Sequence, residues 1–127
     1  MEGELRLARK MEHAMLLSFY GKLLTGNRQA LVRLYVDEDL SPNEIAARCG
    51  ISRQAAFDAI AQAFRRLDHY EQTLGLAGRF ERLSSGLREA ADRLRRLPVK
   101  PEAEAELNDL VRLIETLQAN EEEANGL

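Results

Sequence analysis

A chain of 127 residues, 45% apolar and 31% charged, has room for one core with an extension and not for two independent globular domains. Its single cysteine excludes an internal disulfide, and no apolar run approaches the roughly 20 residues of a membrane span. Few prolines and abundant Leu, Ala, Arg and Glu predict an all-α protein. The opening "MEGELRLARK" lacks the apolar stretch of a secretory signal, so a cytoplasmic protein is expected. The net charge of −3 is unevenly spread. Residues 1–40 carry six basic and six acidic groups, and residues 41–75 carry four of each. Residues 76–100 carry seven basic and three acidic groups, and residues 101–127 one and eight.

In chain order, Leu5, Ala8, Met11, Met15, Phe19 and Leu23, with Leu16, recur at helical spacing and predict a first amphipathic helix stopped by Gly26. Asn27 is expected to cap a shorter helix bearing Leu31, Leu34 and Tyr35, and the acidic run 37–39 belongs to the loop after it. The stretch "SPNE" is a strong helix start. Ser41 serves as N-cap, Pro42 suits the first helical position, and Glu44 completes a capping box. Ile45, Ala46 and Cys49 are expected on the inner face of this helix. Gly50 makes the turn, Ile51 is expected to plug it, and Ser52 caps the next helix. Caps, small residue and glycine in this register predict a helix-turn-helix whose second helix projects its first turns outward.

That second helix continues through Phe57, Ile60, Phe64, Leu67, Tyr70 and Leu74 to Gly75. After it, Leu76, Phe80, Leu83, Leu87, Ala90, Leu94 and Leu97 form a leucine seam, with an expected break at "SSG" (84–86). The segment "LPVKP" is a helix break, and Ala103, Leu107, Leu110, Ile114 and Leu117 mark a last helix. Two seams joined by a proline turn are best buried against each other or against a second copy of the chain. The expected organisation is a helix-turn-helix domain at 1–75, a helical hairpin or dimerisation extension at 76–120, and a disordered tail at 121–127.

No phosphate-binding glycine loop, nucleophile elbow or carboxylate pair is present, so no enzyme is expected. His13 and His69 lack ligands at metal spacing and are expected to be surface or edge residues, and Cys49 is expected to be a small buried residue; no metal or cofactor is implied. Candidate contact residues are the outward positions Ser52, Arg53, Gln54 and Phe57, with Asp58 among them. Arg53 and Gln54 match guanine and adenine edges, Asp58 repels phosphates, and Phe57 is either core or a protein anchor. A second candidate is the stripe Arg79, Arg82, Arg93 and Arg96. It could follow a phosphate backbone, or pair with the acidic last helix.

The segments "YGKLLT" (20–25), "LYVDEDLSPNEIA" (34–46), "GISRQAAFDAI" (50–60) and "LDHYEQTLGL" (67–76) resemble the YlxM family, small bacterial helix-turn-helix proteins typically encoded beside the signal recognition particle GTPase. The resemblance implies a sigma-factor-like fold with added helices, a homodimer, and an accessory or regulatory role with that GTPase or the particle's RNA as partner. One departure is visible: where the family often carries a basic pair, this chain has Ala61 and Gln62. The alternative is a dimeric transcription regulator reading double-stranded DNA in the major groove.

Overall fold

The computed structural model describes residues 2–125, with side chains described from Ala8 onward, so the expected apolar position Leu5 lies outside the described side chains. Among the described residues there are six α-helices, two short 3-10 turns and no strand. They are α1 (Glu2–Tyr20), a 3-10 turn (Gly21–Leu23), α2 (Gly26–Val36), α3 (Pro42–Cys49), α4 (Arg53–Leu74), α5 (Leu76–Arg95), a second 3-10 turn (Pro101–Ala103) and α6 (Glu104–Ala124). The chain divides into two compact units, residues 1–77 and 78–127.

In the first unit, α1, α2 and α4 enclose one core and α2, α3 and α4 a second. The first gathers Leu16, Leu17, Tyr20, Leu24, Val32, Ala63 and Leu67, together with Ala77. The second holds Leu31, Ile45, Ala46, Ala56 and Ile60. Phe64 packs against both. Tyr20 is 1% exposed and its hydroxyl donates to Glu71 Oε1 at 2.5 Å while accepting from Leu76 N at 3.0 Å. Glu71 Oε1 also accepts from Ala77 N at 3.1 Å. These bonds satisfy amides in the first turn of α5, which would otherwise lack helical partners, and they hold Leu76 and Ala77 to the first unit. Gly75 turns the corner in the left-handed region (φ 64°), where a side chain would be strained.

Several expectations are corrected. α1 buries His13, Leu16, Leu17 and Tyr20 and leaves Met11 66% exposed, while Leu23, in the 3-10 turn that follows, is 55% exposed. The inner stripe is thus rotated from the expected one, and it brings Tyr20 to Glu71. Gly26 does not stop a helix; it begins α2, and the cap is Thr25, whose Oγ1 accepts from Arg28 N at 3.3 Å, rather than Asn27.

In the second unit α5 continues unbroken through Ser84–Gly86. A glycine costs a helix only about 1 kcal/mol, too little to break it when both flanks are helical. The seam is also displaced: Ala91 and Val111 are its buried residues, with Phe80, Ser84, Leu87, Leu94, Leu107, Ile114 and Gln118 half-buried in step with them. Leu83, Leu97, Leu110 and Leu117, expected inside, are exposed. α5 and α6 run antiparallel, with Gln118 Nε2 donating to Ser84 O at 2.9 Å and Arg95 paired with Glu115. Residues 121–124, expected to fray, are helical, closed by Asn125 Nδ2 donating to Glu121 O at 2.8 Å; Gly126 and Leu127 lie outside the described residues.

Candidate partner-binding surface

The helix-turn-helix corner follows from its capping chemistry. Glu44 N donates to Ser41 Oγ and Ser41 N to Glu44 Oε1, each at 3.2 Å, closing the capping box that starts α3. α3 ends at Gly50, which adopts φ 68° and ψ 33°, and Ile51 N returns to Ala46 O at 3.1 Å. Ser52 is extended, and its Oγ accepts from Ala55 N at 3.0 Å to start α4. Beneath this corner Ile45 and Ala56 are fully buried, with Ala46 5% and Ile60 7% exposed. The first turns of α4 therefore stand on a packed base.

Arg53, Gln54, Phe57 and Asp58 are exposed on those turns, and Phe57 is 50% exposed. Phe57 is thus a surface residue rather than core. Arg53 precedes it by one helical turn, so the two residues share one face of α4. Ser52 spends its acceptor on the cap and contributes chiefly by fixing the helix. Gln54 Nε2 donates to Asp58 Oδ1 at 2.9 Å, which occupies an amide that must present donor and acceptor together to read adenine. Ile51, expected to plug the turn, is 36% exposed, and the space beneath the corner is filled by Ile45, Ala46, Ala56 and Ile60. Cys49, expected to be buried, is exposed.

The cations around the corner are engaged. Arg48 Nη1 lies 3.0 Å from Glu38, Lys10 pairs with Asp39, and Arg28 donates to Gln62. Arg53 forms no ion pair among the described residues, and neither do Arg65 and Arg66, exposed further along α4 and passed over in the sequence because they lie beyond the turns a recognition helix uses.

In the second unit Arg79, Arg82, Arg93 and Arg96 are all exposed. Arg93 approaches Glu89 of its own helix at 3.9 Å. Arg96 lies beyond the end of α5, its Nε donating to Asp92 O at 3.2 Å, so the helical stripe ends at Arg93. Across the hairpin it is Arg95, not a stripe residue, that meets an acidic group of α6, Glu115.

His69 is exposed, but His13 is not a surface residue. It is 3% exposed and stacked on Phe64 with ring centroids 4.0 Å apart. Its Nδ1 is 2.8 Å from Arg9 O and its Nε2 2.9 Å from Asp68 Oδ1, a carboxylate too distant in sequence to be seen as its partner. Among the described residues no group of His, Cys, Asp and Glu is arranged to hold a metal ion, and no helix is long and apolar enough to cross a membrane.

Residues 7–107 match the family model described as "Putative helix-turn-helix protein, YlxM / p13 like". Similar proteins include a UPF0122 protein of Desulforamulus reducens, 40% identical over 63% of this chain and 68% of its own length. Another, from Symbiobacterium thermophilum, is 45% identical over 63% of this chain and 78% of its own. A third, from Geobacillus kaustophilus, is 35% identical over 87% of this chain and 98% of its own. No solved structure matches at comparable significance.

Proposed function

Since the chain belongs to the UPF0122 family of YlxM- and p13-like helix-turn-helix proteins, we propose that it is a cytoplasmic, non-enzymatic accessory protein of the signal recognition particle pathway, acting by binding the particle's GTPase, its RNA or both. The observation that carries this reading is the pair Arg53 and Phe57, exposed together on a capped helix within a stretch of balanced charge. Arginine and aromatic side chains supply most of the energy of protein interfaces, whereas duplex binding draws on a surplus of cations at phosphates. The nearby Arg48, Lys10 and Arg28 already have partners. The pathway itself is supported by the resemblance carried by residues 34–46 and 50–60.

A second reading, a dimeric regulator of transcription, is favoured by the exposure of Arg53 and Gln54 at the start of α4. It needs two recognition helices roughly 34 Å apart, and release of Gln54 from Asp58. Titration of the purified chain against the GTPase, the particle's RNA and random duplex at two salt concentrations separates the readings. The expected result is saturable binding that falls in Phe57→Ala, either to the GTPase with little salt dependence or to the particle's RNA in clear preference to random duplex. Equal, steeply salt-dependent binding to both nucleic acids with none to the GTPase overturns it.

A further inference from the structure

The balanced charge of residues 41–75 hides an uneven pairing. Its four acidic groups are all engaged by groups other than arginine. Glu44 is bound by Ser41 N, Asp58 by Gln54 Nε2, Asp68 by His13 Nε2, and Glu71 by the Tyr20 hydroxyl and Ala77 N. Of the four basic groups in the same stretch, only Arg48 has an ion pair among the described residues. Arg53, Arg65 and Arg66 stand exposed without one.

Two of these arginines share a face with a third from α2. Arg28 donates to Gln62, and Gln62 lies three and four residues before Arg65 and Arg66, so all three arginines border one exposed amide. Gln62 is neutral, so the bond orients Arg28 without cancelling its charge. The segment that α2 belongs to adds no opposing charge: between Glu12 and Asp37 the sequence has no Asp or Glu, while it carries Lys22, Arg28 and Arg33. Tyr70, one turn beyond Arg66, donates to Leu23 O at 3.4 Å and so brings the turn with exposed Lys22 to the same edge. Along α4 the nearest acid is Asp58, one turn before Gln62 and held by Gln54.

We propose that this face holds the phosphate backbone of an RNA, with Arg28, Arg65 and Arg66 as its contacts and Lys22 at its end. The assignment rests on the functional reading above, which supplies RNA as the polyanion. Guanidinium groups match phosphate oxygens in charge and geometry, and phosphate contacts need no apolar anchor. An acidic protein segment does need one, and no large apolar side chain is exposed in residues 26–30 or 61–66. Duplex DNA would have to be read at the corner, where Gln54 is tied to Asp58.

Fluorescence anisotropy of the full chain with the particle's RNA over a range of salt tests this. Replacing Arg28, Arg65 and Arg66 together by alanine should weaken binding at least about tenfold and lower the slope of log affinity against log salt by roughly 2–3, close to one for each phosphate contact removed. Arg65→Lys with Arg66→Lys should keep the slope, since the charges remain. Gln62→Glu removes no cation but gives Arg28 a carboxylate; it should keep the helical circular dichroism and still weaken RNA binding. RNA affinity unmoved by the triple alanine variant or by Gln62→Glu overturns the proposal, and equal affinity for random duplex DNA overturns RNA as the occupant. A chain that binds the GTPase but not the RNA overturns this proposal and leaves the functional reading standing; one that binds neither overturns both.

Discussion

Replacing Tyr20 by Phe keeps the ring in its core and removes one oxygen, so it isolates the polar link among α1, α4 and the start of α5. The hydroxyl makes two bonds, one donated to the Glu71 carboxylate and one accepted from Leu76 N. A bond to a charged group contributes about 1.5–3 kcal/mol and a neutral one about 1 kcal/mol. Glu71 retains Ala77 N as a donor, so part of the loss is offset. The expected destabilisation is therefore about 2 kcal/mol, read from urea denaturation followed by circular dichroism. The pH dependence supplies an independent check. Burial, the bond donated to Glu71 and the repulsion of that carboxylate all raise the Tyr20 pKa above its ordinary value, outweighing the backbone donors that lower it. A group whose folded pKa is raised contributes stability in full below its unfolded value, about 10, and loses it as pH rises through the folded value. The gap between the native protein and Tyr20→Phe should thus stay constant at neutral pH and narrow above about pH 10. A loss below about 0.5 kcal/mol, or a gap unchanged in alkali, would refute the account of this link.

Gly50→Ala should cost about 1–2 kcal/mol in the same assay, because open space surrounds the added methyl and only the left-handed backbone resists it; Gly50→Asn should cost less. His13→Ala removes a buried stacked ring and two hydrogen bonds, and a loss of about 2 kcal/mol or more is expected; a neutral effect would contradict the packing on Phe64. Arg53→Ala combined with Phe57→Ala should leave the melting temperature nearly unchanged, since both are exposed, while weakening partner binding at least about tenfold in titration calorimetry.

What could be read from the sequence was the local chemistry. The Ser41 box, the Gly50 turn and the Ser52 cap are each written within a few residues, and the structure has all three. The inner stripes were harder. α1 and α5 each carry two adjacent apolar rows, and periodicity cannot choose between them; the choice lies in the partner, Glu71 for Tyr20 and α6 for Ala91. The same ambiguity attaches to Phe57: its neighbour Ala56, at 0% exposure, takes the inner position and leaves the ring outside. His13 was misplaced because its carboxylate is 55 residues away. Cys49 was misplaced because a thiol at the last turn of a short helix can sit outside the core that Ile45 and Ala46 fill.

Phe64, touching both cores of the first unit and stacked on His13, has a consequence for how the helix-turn-helix corner opens. A residue shared by two hydrophobic clusters makes them melt as one cooperative block, so α3 has no private, low-energy route to unfolding. Its slowest amides should exchange with deuterium on the timescale of those in α1, and a ligand that grips the corner should slow exchange at the far end of the same unit.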